Sequence, residues 1–338
     1  MITAYVLSNG RLEKAPLGPS GEPPADALWI DLLSPTKEEE ATVHRTLGVE
    51  IPTREEMQEI EVSSRLYREG DVHYMTAPVI HRTETPRPEV SATTFILAPN
   101  RMLTVRHAQP KSIDIFVVRA ARQIGWCVTP ESVLIGLLET IVDRVADVME
   151  RVAGELDTLS RTIFYDPAES NGTTKSGEQI TAELKSELRQ LGRAGDLTSK
   201  TRDTILGLDR IATYLGTAEA LGSRKDTKAR LKTLSRDLRS LAEHDGFLSN
   251  KVNFLLDATL GMISIEQNRS MTEQNNIIKI FTVAATAFLP PTLVASIYGM
   301  NFDLMPELKW DFGYAWALVL MLLSAIAPFV YFKRRGWL

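Results

Sequence analysis

The polar groups best placed to do chemistry lie near the C-terminal end. Thr292, Gly299, Asn301, Asp303 and Glu307 stand within or just beyond an apolar run, in the order Tyr298-Gly299-Met300-Asn301-Phe302, then Met305-Pro306-Glu307-Leu308. They offer hydroxyl, carbonyl, amide and carboxylate oxygens, the ligand class of hard cations such as Mg²⁺. A softer ion would call for imidazole or thiolate, and neither residue type occurs after His244. On residue type alone, Asn301 reads either as such an acceptor or as a helix-end cap, and Asp303 either as a cation attractor or as loop solvation.

No competing chemistry presents itself. The five histidines (His44, His73, His81, His107 and His244) share no metal-binding spacing. The lone Cys127 can form neither an internal disulfide nor a redox pair, and it fits a reducing compartment. No nucleophile–base constellation and no GxxxxGK[ST] phosphate loop occur, so neither an enzyme nor an ATP-driven pump is expected. The net charge of −5 argues against a nucleic-acid partner.

Two uncharged runs frame the polar stretch. Ile280 to Tyr298 has 19 residues and Phe312 to Phe332 has 21, and about 20 apolar residues cross the hydrocarbon core. The N-terminal MITAYVLSNGRLEK has no apolar stretch suited to a signal peptide. Lys279 stands at the entry of the first span and Lys333, Arg334 and Arg335 close the second, while the loop between the spans sets only Lys309 against Asp303, Glu307 and Asp311. The positive-inside bias places both chain termini in the cytoplasm and the loop outside.

Upstream, residues 1–128 read as an α/β domain. Strands are expected at Ile2–Leu7, Leu28–Leu32, Val72–Ile80, Ser91–Leu97 and Met102–Val105. Ser34-Pro35 reads as a helix cap with proline at the first helical position, and Thr53 to Glu56 as a capping box. Residues 36–70, with nine acids and five bases, form an acidic helical layer. Thr129-Pro130 opens a helical hairpin over 129–223. Its seam of Leu134, Leu137, Leu138, Ile141, Val145, Val148, Met149, Val152, Leu156, Leu159 and Ile163 steps by three and four, and residues 166–177 form its loop. A stalk helix then occupies 224–279 and leads without a break into the first span (280–298). Such a helix, roughly 110 Å long with the span included, cannot be buried in one chain of this size, so an assembly of several copies is expected. A loop (299–311), the second span (312–332) and a basic tail (333–338) complete the chain.

YGMNF followed by MPEL, between two C-terminal spans and ahead of Lys333-Arg334-Arg335, resembles the CorA family of magnesium transporters. GMN alone is common; GMN at the outer end of the penultimate span with MPEL six residues after the glycine is specific. The resemblance is strongest over residues 265–338 and extends weakly to Leu28-Trp29-Ile30-Asp31-Leu32 and Ser64-Arg65-Leu66. It is closer to the bacterial CorA branch than to the zinc-transporting branch, where valine usually replaces the GMN methionine.

The resemblance implies a funnel-shaped homopentamer in the bacterial inner membrane, its first spans lining the pore. Mg²⁺, with Co²⁺ or Ni²⁺ as mimics, would pass down its gradient without ATP. Because Mg²⁺ sheds water reluctantly, five Asn301 amides with the Gly299 carbonyls would bind it through its water shell. Met300 would pack behind this ring, its thioether being too soft a ligand, and Gly299 would free the backbone to turn. Glu307 would sit at an acidic mouth. Counted back from Asn301, Thr292, Leu289, Phe281 and Asn275 (9, 12, 20 and 26 residues) are expected on one face, with Leu289 and Phe281 as hydrophobic gates. Pro290-Pro291 should kink the span. Cytoplasmic Mg²⁺, bound between stalks by Asp237, Glu243 and Asp245, would hold the pore closed. The alternatives are a Zn²⁺ or other transition-metal transporter of the same fold and, more distantly, a membrane-anchored coiled-coil sensor without a pore.

Overall fold

A computed structural model describes residues 1–164, 177–217, 224–300 and 305–336. They fall into two units. One comprises residues up to 174 together with 182–259, the other 175–181 together with 260–338.

The first unit is built on a seven-stranded mixed sheet: β1 (Ile2–Ser8), β2 (Arg11–Ala15), β3 (Ala27–Leu33), β4 (Leu66–Glu69), β5 (Val72–His81), β6 (Glu89–Ala98) and β7 (Arg101–Arg106). The order across the sheet is β2-β1-β3-β7-β6-β5-β4, and only β3 and β7 run parallel, with Trp29 opposite Met102. Alternation along each strand supplies both faces. Trp29, Met75, Phe95 and Met102 point into one apolar core; Ile30, Tyr74, Ile96 and Leu103 point into another. Helices α1 (Lys37–Leu47) and α2 (Arg54–Gln58) cover the second core through Val43 and Met57. Helices α4 (Lys111–Arg122) and α5 (Pro130–Phe164) cover the first through Phe116, Ile113, Leu134 and Leu138; α3 (Val62–Arg65) is a single turn leading into β4.

Every residue of the expected α5 seam is buried. Helix α6 (Gly177–Thr217) and the first part of α7 (Lys225–Tyr298) extend that core with Leu191, Ile205, Leu208, Leu234, Leu238 and Leu255. Where α6 meets β5, a Cβ on Gly207 would fall 2.5 Å from Pro78 Cδ, so only glycine allows this approach. The expected loop at 166–177 lies, apart from Gly177, outside the described residues.

Several expectations shift. The expected strands are all present, and β2, β4 and α4 are additional to them. The β1–β2 hairpin turns on Asn9-Gly10, both at positive φ, a recognised type I′ signal. Ser34 does not cap α1. It adopts a left-handed φ of 43°, and its N–H donates to the Arg106 carbonyl at 2.8 Å. A cap needs extended backbone, which Thr36 has (φ −83°, ψ 159°) and Ser34 lacks, so the cap passes to Thr36, which forms a capping box with Glu39. The Thr53–Glu56 box is present, as is a Thr129 side-chain bond from the Ser132 N–H.

Candidate ion pathway

In the second unit, α7 continues to Tyr298, a 3₁₀ turn covers Pro306–Lys309, and α8 runs from Gly313 to Arg334. Helices α7 and α8 are both long and apolar enough to cross a membrane, and their apolar windows are wholly unburied. A core helix of a soluble domain would be covered. Here Phe281, Phe288, Leu289, Leu293, Leu322 and Leu323 are all more than half exposed.

The helix carries its prolines without interruption, since Pro290 and Pro291 both lie inside α7. Whatever kink the pair introduces, it does not end the helix. Proline has no N–H, so the carbonyls of Thr286 and Ala287 lose their i→i+4 donors. Threonines line this segment, and each hydroxyl donates back to a carbonyl one turn earlier: Thr282 to Ile278, Thr286 to Thr282, and Thr292 to Phe288, each at 2.7 Å. The Thr292 oxygen thereby spends its proton on the backbone and keeps lone pairs to accept with.

Asn275, Phe281, Leu289 and Thr292 are all exposed on α7. At about 100° per residue they fall within an arc of about 120°. The stripe cannot be drawn from Asn301, however. Nine residues of ideal helix put Thr292 about 180° away from it, and α7 has already ended at Tyr298. The face belongs to the four helical residues alone. Asn301 and Asp303 lie outside the described residues.

At the helix end, the Gly299 N–H still donates to the Ala295 carbonyl at 2.9 Å, and the Met300 N–H reaches back only three residues, to Ile297, at 3.2 Å. The last turn tightens and terminates at the GMN sequence. Glu307 is exposed on the 3₁₀ turn, where its carbonyl accepts from the Trp310 N–H at 3.4 Å. A Cβ on Gly313 would collide with that same carbonyl. Glycine at the start of α8 thus lets the Glu307 turn fold onto the helix.

The three stalk acids separate. Asp237 and Glu243 are exposed. Asp245 is 1% exposed and already engaged: its carboxylate accepts from Arg202 Nε at 2.7 Å and from Thr201 Oγ1 at 3.3 Å. Among the described residues, no three His, Cys, Asp or Glu side chains converge as metal ligands. Asp31 in the Leu28–Leu32 stretch is structural, held by Arg106 Nη2 at 2.7 Å and Thr104 Oγ1 at 2.6 Å in a buried network.

Fold and site together define an α/β domain joined by a long helix to two exposed, apolar, membrane-length helices with oxygen-bearing side chains on one of them. The family model described as "CorA-like Mg2+ transporter protein" matches residues 24–334. The chain is 35% identical to proteins named magnesium transport protein CorA from Yersinia pseudotuberculosis and from Escherichia coli K12, over the full length of both chains. It belongs to the CorA-like Mg²⁺ transporter family. The likeness spans the whole chain. Its fold matches the complete CorA magnesium transporter of Methanocaldococcus jannaschii (TM-score 0.63, 18% identity, 100% of this chain and 99% of that one). It equally matches full-length CmaX (TM-score 0.63, 16% identity, 99% and 97%).

Proposed function

We propose that the protein conducts Mg²⁺ through a symmetric homo-oligomeric pore, a pentamer, in the bacterial inner membrane, with both termini cytoplasmic. The observation carrying this reading is the exposed α7 face. Thr292 and Asn275 offer neutral oxygens, Leu289 and Phe281 offer hydrophobic rings, and the helix ends at GMN. Around a symmetry axis these become two dewetting rings flanked on either side by polar ones. The Asn301 amides, with Gly299 carbonyls, would accept hydrogen bonds from the water shell of an ion that keeps its waters. Lipid would cover the remaining apolar surface of α7 and α8. The zinc reading is not favoured, because no imidazole or thiol occurs along either span.

The driving force is the membrane potential, about 4.6 kcal/mol for a divalent ion at 100 mV. A pore with that drive needs a closing signal, and internal Mg²⁺ bridging acids of adjacent stalks would supply one. Asp237 and Glu243, exposed on α7, are the residues for this role, since the Asp245 carboxylate is held by Arg202.

The test is dye-reported Mg²⁺ uptake into liposomes holding the purified protein, with native mass spectrometry for the oligomer. The wild type should take up Mg²⁺ and weigh as a pentamer; Asn301→Ala should abolish uptake with assembly intact. Wild-type flux from that variant would remove Asn301 from the selectivity site.

A further inference from the structure

We propose that the cleft between α2 and the adjoining ends of β5, β6 and β7 is a binding site for a phosphate-class dianion. The cleft has a volume of about 360 Å³ and is lined by Arg54 and Gln58 of α2, His81 closing β5, Glu89 and Ser91 opening β6, and His107 beyond β7. It lies wholly within the first unit, on the acidic-layer side of the sheet and apart from the spans.

Charge selects the ligand. The one carboxylate in the lining is already compensated, since Glu89 Oε1 accepts from Arg82 Nη1 at 2.7 Å. Arg54 makes no hydrogen bond or ion pair among the described residues, so its guanidinium leaves a net positive charge facing the cleft. Around it stand an amide, a hydroxyl and two imidazoles, all able to donate. A guanidinium fork with convergent N–H and O–H donors is the recognition chemistry of a tetrahedral oxyanion. A metal ion is poorly served, because Arg54 opposes it and no three ligands converge.

The imidazoles add a dependence on pH. Burial pushes His81 and His107 below the usual histidine range. At His107 the α2 guanidinium of Arg54 lowers it further while Glu55 pulls back; at His81, Glu89 pulls up and Arg82 lowers. Both rings are therefore neutral in the empty cleft near pH 7. A bound dianion would favour their charged forms, so binding takes up protons and tightens as pH falls. Size argues for more than a single small anion. At roughly 30 Å³ per water, the cleft holds about a dozen waters, more than one phosphate displaces, so a phosphorylated small molecule fits as well as free phosphate.

The experiment is calorimetric titration of the full-length protein in detergent, without Mg²⁺ and at fixed ionic strength. The probes are sulfate, inorganic phosphate and ADP. Sulfate carries the pH comparison, because its charge is constant between pH 6 and pH 8. The expected result is saturable binding, tighter at pH 6, that Arg54→Gln weakens by about tenfold or more. His107→Gln should flatten the pH dependence of sulfate binding. Arg54 is exposed, so its replacement leaves the fold intact and decides the matter even if the His107 variant unfolds. ADP binding far tighter than phosphate identifies a phosphorylated metabolite as the ligand; equal binding identifies the phosphate group alone. Absence of binding by all three probes at millimolar concentration, or an Arg54→Gln titration that overlays the wild type, overturns the assignment.

Discussion

Leu134 and Leu289 are the same side chain placed in opposite surroundings. Leu134, in the α5 seam, is 0% exposed among the sheet and helices of the first unit; Leu289, on α7 in the second, is 67% exposed. The first unit keeps its apolar atoms inside and most of its charges at the surface, as in the Arg119–Asp143 and Lys111–Glu84 pairs, and pairs the few it buries, as Asp31 with Arg106. The second reverses this: its apolar side chains face outward, and polar side chains along its spans are few and neutral. Water organises the first arrangement, whereas the second needs hydrocarbon or further copies of the chain. Stability should therefore reside in one region and conduction in the other.

That division gives the largest contrast. Leu134→Ala removes buried methyl groups and should cost about 2–5 kcal/mol, seen as an earlier unfolding transition in denaturant. Leu289→Ala should leave that transition in place and change Mg²⁺ flux instead, raising leak through a widened hydrophobic ring. If the two variants exchanged phenotypes, the second unit would be a packed domain and Leu289 no gate.

The sequence disclosed these regions unequally. Strand alternation was legible because neighbours such as Trp29 and Ile30 must face different cores, a period-two constraint visible without the fold. The α5 seam was legible for the same reason at the helical period. The β2 strand was overlooked although Asn9-Gly10 signals a hairpin, because Arg11–Ala15 has only Leu12 and Ala15 turned inward. Helix α4 had its cue in Ile113, Phe116 and Ala120, spaced by three and four. Partners distant in sequence were not legible: nothing near Asp245 announces that Arg202, 43 residues earlier, will hold it. Nor does counting along the chain know where a helix ends: α7 stops at Tyr298, short of Asn301.

Intermediate effects are expected on the stalk. Asp237 and Glu243 are exposed on α7 and free to meet a neighbouring copy, whereas Asp245 is structural. The pair Asp237→Asn with Glu243→Gln should leave folding unchanged and let uptake persist at internal Mg²⁺ concentrations that silence the wild type. Bound metal stabilises a closed state only through its differential affinity for that state. An inhibition curve overlaying the wild type would move the regulatory ligands elsewhere, most directly to the acids of residues 36–70. Asp245→Asn, by contrast, should cost about 2 kcal/mol of stability through loss of a charge-assisted bond to Arg202.

The smallest effect belongs to Glu307, and its value lies in separating two kinds of contribution. The side chain is exposed, while its backbone carbonyl packs the 3₁₀ turn against Gly313 and Trp310. Glu307→Gln keeps the backbone and the turn and removes only charge. If that charge serves to concentrate cations at the mouth, apparent Mg²⁺ affinity should fall severalfold at low ionic strength. Its action at a distance is screened over about 10 Å at 0.1 M salt and about 3 Å at 1 M, so the mutant and wild-type curves should converge as salt rises. A deficit that stays constant with salt would place the carboxylate in contact with the ion or its water shell. Gly313→Ala makes the converse change: it keeps the charge and displaces the turn, and its defect should be insensitive to salt.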